Sequence, residues 1–199
     1  EKVAGVFLWI VIAALALCVP ASLLWICHKT NPYLRLFIES IMCWQCLATK
    51  SLKDESMKVF YELKNGDVEK ARYAVSMIVG RDTKELDEAA ITRATVETVA
   101  ENTSDGVIAP MLYLAIGGGP LGFLYKAINT MDSMLGYVDE PYKNIGLIPA
   151  KADDVANFIP SRISALFMLL SGKLLKMNVK NGLKEILRDR FNHKSPNSA

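Results

Sequence analysis

From Val3 to Cys27 the chain runs for 25 residues without a charge, interrupted only by Pro20. Wound as a helix, such a stretch reaches about 37 Å at 1.5 Å per residue, more than the ~30 Å hydrocarbon core of a bilayer. Proline is tolerated inside a membrane span. A secretory signal fits poorly, because only Lys2 precedes the apolar stretch and no small-residue cleavage site follows it. Asn31-Pro32 then predicts a turn. Tyr33–Thr49 is apolar again but carries Arg35 and Glu39; it reads as a return across the membrane or as a surface segment, with return favoured. Residues 1–49 therefore read as a domain of membrane segments.

Residues 50–106 change character, with 9 Lys/Arg against 12 Asp/Glu and apolar positions at helical spacing. Asn65-Gly66-Asp67 ends one helix and starts the next, with Asp67 as N-cap and Gly80 as terminator. Asp82 with Glu85 resembles a capping box opening a third helix that runs to about Glu101. The expectation is an extramembrane helical hairpin. Val107–Tyr125 is then uncharged for 19 residues, but Pro110, Gly117-Gly118-Gly119 and Pro120 interrupt it. Broken apolar segments survive in membranes where protein or a wet cavity satisfies the freed backbone, so this one is a re-entrant or site-lining candidate. Residues 107–175 join it to polar loops and a short apolar helix at Ile163–Gly172, read as a partial span or an interfacial element. From Lys173 onward the chain carries 7 Lys/Arg against 2 Asp/Glu, and a basic tail over 176–199 beside an apolar segment is expected on the cytoplasmic side. The fold class is all-α, a polytopic membrane protein with about three apolar segments.

Composition agrees. With 51% apolar and 22% charged residues in 199, a mean hydropathy of +0.21 requires the two kinds to be segregated. Disorder, collagen and a disulfide-stapled miniprotein are excluded. A net charge of +2 leaves no broad basic face for nucleic acid. Cys18, Cys27, Cys43 and Cys46 all lie in or beside apolar sequence. Cys43-Trp-Gln-Cys46 has redox or metal spacing but no βαβ context and no second pair, so packing is expected. Gly117–Gly122 matches GxGxxG after an apolar helix rather than a strand, which argues against a dinucleotide site. The sequence holds no GxxxxGK[ST], and His28 and His193 give thin support to a Ser-His-Asp centre.

Three constellations carry candidate chemistry. Glu97 and Glu101 share a helix face and lead into Asn102-Thr103-Ser104-Asp105-Gly106. This reads either as a helix terminus with capping side chains or as a Mg²⁺ or phosphate site at the membrane edge. Lys126, Asn129, Asp132 and Ser133 fall within an arc of about 120° on a helix, either a solvated face or a set able to hold a phosphate and its metal. Asp153 and Asp154 both reach Asn157 at helical spacing, with Arg162 beyond Pro160. That is either an acidic first turn complementing a helix dipole or a Mg²⁺ site shared with substrate phosphate.

The runs ATVETVAENTSDGVIAP (94–110), YKAINTMDSMLGY (125–137), ADDVANFIPSR (152–162) and SPNSA (195–199), in that order, closely resemble the membrane-bound adenosylcobinamide-phosphate synthase family of cobalamin biosynthesis. The likeness is strongest from about Gly80 to Arg162. The family chain is longer at both ends, so the resemblance marks this sequence as an internal fragment. It implies a multi-pass cell-membrane enzyme with a cytoplasm-facing site. The reaction joins a propionate carboxylate of adenosylcobyric acid to (R)-1-amino-2-propanol phosphate, or a related amino alcohol, with ATP as co-substrate and Mg²⁺. On that footing Glu97, Glu101 and Asp105 would bind Mg²⁺ or take a proton from the attacking ammonium, and Asp153 and Asp154 would bind the same metal or a second one. Lys126 and Arg162 would contact phosphate, and Asn102, Thr103, Ser104, Asn129, Asp132, Ser133 and Asn157 would orient substrate. Gly106 and Gly136 would admit close backbone approach.

Two other function classes compete: a non-catalytic membrane sensor or assembly protein of the same fold, and a transporter. A transporter would place its polar residues mid-span, whereas Glu101–Gly106 and Lys126 bracket Val107–Tyr125, which favours a surface-facing site. The enzyme reading expects all three constellations to converge on one pocket. An oligomer is compatible with all three readings.

Overall fold

A computed structural model describes residues 2–80, 82–136 and 144–189; Tyr137, Asp139, Glu140, Lys143, His193 and the SPNSA motif lie outside the described residues. The elements are α1 (Lys2–Thr30), α2 (Pro32–Cys46), α3 (Thr49–Lys64), α4 (Val68–Ser76), α5 (Glu88–Thr103), a π-helical turn (Ser104–Ile108), α6 (Ala109–Leu135), α7 (Leu147–Leu174) and α8 (Val179–Asp189). No strand occurs among the described residues. By length and composition three helical stretches could cross a membrane, Val3–Thr30, Glu88–Leu135 and Leu147–Leu174, with mean hydropathies of 2.6, 1.7 and 1.3, although the second is broken at Gly117-Gly118. The protein is an all-α membrane protein. Two expectations are corrected. With 15 residues, α2 reaches only about 22 Å and falls short of a bilayer crossing. Ile163–Gly172 is no separate short element, because α7 runs 28 residues straight through Pro160.

The chain divides into two compact units, residues 48–107 and residues 1–47 with 108–199. In the first, α3, α4 and α5 bury Val59, Ala71, Val75, Ile91 and Ala94 completely, with Leu63, Ile78 and Leu86 packed around them. Asp67 caps α4 as the sequence predicts, its side chain accepting from the Lys70 N–H. The other two boundaries shift. α4 ends at Ser76, short of Gly80, and α5 begins at Glu88 with Asp87 as N-cap, its side chain accepting from the Ala90 N–H at 2.7 Å. Asp82 forms a local turn with the Lys84 N–H instead of opening a helix. The buried Thr83 hydroxyl donates to the Arg72 carbonyl and the Arg72 Nε donates to the Leu86 carbonyl, which holds 83–86 as a strap across α4.

In the other unit the apolar run breaks where the glycines stand. Gly117 (φ −141°, ψ 21°) and Gly118 (φ 62°, ψ −157°) leave the helical conformation inside α6. On a straight helix residues twelve apart are separated by about 18 Å, yet the Tyr113 and Tyr125 rings stack with centroids 4.9 Å apart. Leu114 likewise lies against Gly122. The chain reverses at Gly117-Gly118, and the arm Ala109–Ile116 folds back along Gly119–Leu135. Glu39 of α2 reaches the break, its Oε1 accepting the Gly119 N–H at 3.4 Å, and Arg35 stands 3.6 Å from its other oxygen. Met42 and Cys46, one turn apart on α2, pack on Gly119 and Gly122, so Cys46 is a buried packing residue. At the far end, α7 closes with the Met177 N–H on the Gly172 carbonyl and the Lys176 N–H on the Lys173 carbonyl, Lys176 taking φ 58°. This is a Schellman turn with lysine where glycine is usual.

Gly118→Ala would force a Cβ to 2.2 Å from the Glu39 carboxylate at a φ of +62°, whereas Gly66, at φ +75°, has open space around it. Thermal unfolding in detergent should therefore show Gly66→Ala losing about 1 kcal/mol, the left-handed backbone cost alone, and Gly118→Ala losing clearly more. Asp87→Ala should cost the 48–107 unit about 1 kcal/mol and Asp87→Asn much less, read by amide exchange over α5. The side-chain and backbone hydrogen bonds from Lys70 hold the Asp67 carboxyl below its ordinary value of 3.8. A folded value below the unfolded one stabilises at pH above the unfolded value, so the first turn of α4 should stay protected at neutral pH and fray as pH falls through the lowered value.

Candidate functional site

Two pairs of side chains at i, i+4 spacing face each other across α6 and α7. On α6 they are Tyr125 and Asn129, and on α7 Asp153 and Asn157. The Tyr125 hydroxyl donates to Asn157 Oδ1 at 2.8 Å and the Asn157 amide to Asp153 Oδ2 at 3.0 Å, while the Asn129 amide donates to Asp153 Oδ1 at 3.3 Å. The helices run antiparallel here, so 125 meets 157 and 129 meets 153. The reversal at Gly117-Gly118 adds Tyr113, whose ring stacks on Tyr125 and whose hydroxyl donates to the Ala156 carbonyl at 3.0 Å. Tyr125 is 0%, Asn157 1% and Asp153 8% exposed, so a carboxylate sits in the protein interior held by two neutral amides. Such a group needs every bond it makes, because burying a charge without partners is costly. Val155–Gly172 beyond it carries only Arg162 as a charge, so Asp153 stands at the polar edge of the apolar part of α7.

The structure joins some predicted residues and separates others. Asn129, Asp153 and Asn157 come together. Asp154, half-buried, follows Asp153 on α7 but points off the ladder's axis by one helical step. The acidic pair is not a first-turn feature, since α7 begins six residues earlier at Leu147. Lys126 lines a different space, an apolar groove of about 470 Å³ with Ile12, Ala16 and Phe123. Arg162 turns onto its own helix, its guanidinium 3.7 Å from the Phe158 ring and bonded to the Phe158 carbonyl. The Ser133 hydroxyl bonds back to the Asn129 carbonyl. At Gly136 a Cβ would collide with the Asp132 carbonyl at 2.6 Å, so this glycine lets the end of α6 close on Asp132.

Glu97, Glu101, Asn102, Thr103, Ser104, Asp105 and Gly106 belong to the 48–107 unit. Glu97 and Glu101 are exposed on α5, while Asn102 and Thr103 bond back to the Thr98 and Val99 carbonyls. Ser104 and Gly106 are buried in the π-helical turn, where the Gly106 carbonyl accepts the Ala48 N–H at 2.9 Å and its Cα faces Ala48. The polar run is thus neither a plain terminus nor a cap for α6. Its second half, from Ser104, enters a π-helical turn, a form frequent at functional sites. Tyr113 and Tyr125 escaped the sequence reading. The i, i+4 spacing of Tyr125 and Asn129 was a visible signal for one; for Tyr113 only the three-dimensional reversal supplies it.

Among the described residues no three His, Cys, Asp or Glu side chains gather as a metal cluster. Asp153 alone still suits Mg²⁺, because that ion is commonly held by one or two carboxylates and completed by water and substrate phosphate. Each Asp153 oxygen keeps a further lone pair beyond its amide partner.

The sequence profile of the CobD/Cbib protein family matches residues 1–199. The chain belongs to this family. It is 51% identical over 198 residues to the cobalamin biosynthesis protein CobD of Clostridium perfringens, covering 100% of this chain and 63% of that one. The Streptococcus sanguinis protein of the same name is 51% identical over 195 residues (98% and 62%) and that of Klebsiella pneumoniae 43% over 198 residues (100% and 62%). The chain thus spans about 62% of the length of these relatives. No solved structure matches it significantly.

In this CobD/Cbib chain Tyr125→Phe would remove the hydroxyl donor from a fully buried amide oxygen, a loss of about 1–3 kcal/mol. Asn157→Leu strips partners from both Tyr125 and Asp153 and should be worse, while Ser133→Ala, on an exposed back-bond, should be close to neutral. Thermal unfolding of the three variants in one detergent gives the order.

Proposed function

We propose that this chain forms the larger part of an enzyme of cobalamin biosynthesis that joins adenosylcobyric acid to (R)-1-amino-2-propanol phosphate, or a related amino alcohol, as an amide. The observation carrying the proposal is the match to the CobD/Cbib family over the whole chain, with relatives named cobalamin biosynthesis proteins. The buried Asp153–Asn157–Tyr125–Asn129 ladder supplies a place for polar chemistry at the edge of a membrane helix.

A carboxylate resists attack by an amine, so ATP is assigned to activate it. The propionate oxygen takes the γ-phosphoryl group, ADP leaves, and the amine attacks the acyl carbon, expelling phosphate and losing a proton. Charge accumulates on phosphoryl oxygens in both steps and must be offset by cations. Mg²⁺, when bound, supplies part of that offset, with Asp153 as the interior ligand and Asp154 beside it. Asn129 and Asn157 fix the Asp153 carboxylate so that it does not reorganise as charge develops. Glu97, Glu101 and Asp105, in the 48–107 unit, are assigned as metal ligand or as acceptor of the ammonium proton, with Asn102, Thr103 and Ser104 orienting substrate. Lys126 and Arg162 are assigned to phosphate, each requiring its side chain to leave its present packing on binding. The basic segment after α7 supports assigning the site to the cytoplasmic side of the cell membrane.

Membranes containing the complete natural protein should convert adenosylcobyric acid to a product heavier by the amino alcohol phosphate less one water. Conversion should need ATP and Mg²⁺ together, as followed by mass spectrometry. Asp153→Asn and Glu101→Gln should each lower the rate at least a hundredfold while the protein still accumulates in membranes. Product formed at normal rate without ATP, or near-normal activity in both variants, overturns the assignment.

A further inference from the structure

The segment following α7 has a pattern that the amide-forming chemistry does not use. In α8, Val179, Leu183 and Ile186 recur at i, i+4 and i+7, and Lys180, Lys184 and Arg188 recur at i, i+4 and i+8 along its flank. Before it stand Leu174, Leu175 and Met177, 84%, 73% and 66% exposed, interleaved with Lys173 and Lys176; Leu183 is 46% exposed. In water these would be exposed apolar side chains interspersed along the chain with ammonium groups. Arg188 pairs with Glu185, an exposed partnership that leaves Lys180 and Lys184 as the principal cations of the flank.

Position decides what meets this surface. α7 is long and apolar enough to cross a membrane, and it closes at Leu174 with the Schellman turn. Only residues 175–178 separate it from α8, a link of at most about 14 Å. The start of α8 is therefore tethered at the level where α7 leaves the hydrocarbon. Its first turn touches α7, Val179 near Gly172 and Gly182 near Leu169, while Leu183 remains exposed. An amphipathic helix held at that depth, apolar on one side and basic on the flank, matches the form that binds a bilayer surface. The basic flank selects a negatively charged one.

We infer that α8 lies in the plane of the membrane surface and docks there on anionic phospholipid headgroups, with Leu183 and its neighbours in the acyl boundary and Lys180 and Lys184 among the phosphates. This holds whatever reaction the protein performs. Each lysine close to an anionic surface strengthens binding roughly fivefold, and the effect fades with salt.

The test is amide hydrogen exchange over residues 179–186 in the full chain, reconstituted in nanodiscs of phosphatidylcholine alone or with about 30% phosphatidylglycerol. Exchange should slow at least tenfold in the anionic discs, and about 0.5 M salt should remove most of the difference. Lys180→Gln/Lys184→Gln should abolish the lipid dependence while glutamine keeps the helix. Leu183→Asp should abolish protection even in anionic discs. Equal protection in both lipids would mean that protein covers α8, equal absence would mean that it stands in water, and protection surviving Leu183→Asp would mean that no apolar face inserts. Any of the three overturns the inference.

Discussion

A backbone N–H released inside a bilayer has no water to turn to, and the architecture of residues 108–135 follows from how that demand is met. Gly117 and Gly118 leave the helix, and the Gly119 N–H so exposed points at the Glu39 carboxylate. Glu39 in turn costs less to keep in apolar surroundings because Arg35 lies one turn away on the same helix. Only glycine accommodates this contact, since any Cβ at position 118 would occupy the carboxylate's place. Because the turn holds, the short arm lies along the long one and Tyr113 stacks on Tyr125, the ring whose hydroxyl bonds to Asn157 beside Asp153.

Much of this was legible along the chain. Twenty-five uncharged residues from Val3 dictate a spanning helix, and Gly117–Gly119 with Pro120 dictate that the second apolar run breaks. Asp67 after Asn-Gly announced a helix start through the local chemistry of its side chain, which tertiary packing does not override. Asp82 with Glu85 satisfied the same local rule and misled, because Thr83 and Leu86 are drawn onto α4 by the Arg72 hydrogen bonds and packing. A local signal lost to a long-range one. α2 illustrates a different limit: its composition is that of a span, but Leu47 ends it after 15 residues.

The site was legible in part for the same reason. Asp153 with Asn157, and Asn129 on the polar arc of α6, were visible as helical spacings, and they meet. Lys126 and Arg162 sat on plausible arcs too, but long side chains choose their own surroundings: one lies along an apolar groove and the other on the Phe158 ring. Spacing places a Cα on a helix face; it does not say where four or five further bonds will lead. The run Glu101–Gly106 drew attention through composition, and it straddles the end of α5 and a π-helical turn, which no periodicity rule describes.

The ladder between α6 and α7 has a mechanical corollary. Sliding one helix along the other by a single residue moves it about 1.5 Å and rotates it by 100°, which would separate both rungs at once. Intermediate displacements are therefore uphill in both directions, and the pair behaves as a keyed joint rather than a sliding one. The long arm of α6 and the first half of α7 thus form a fixed frame, to which the Ala109–Ile116 arm is joined through Gly117-Gly118 and bonded by the Tyr113 hydroxyl on the Ala156 carbonyl.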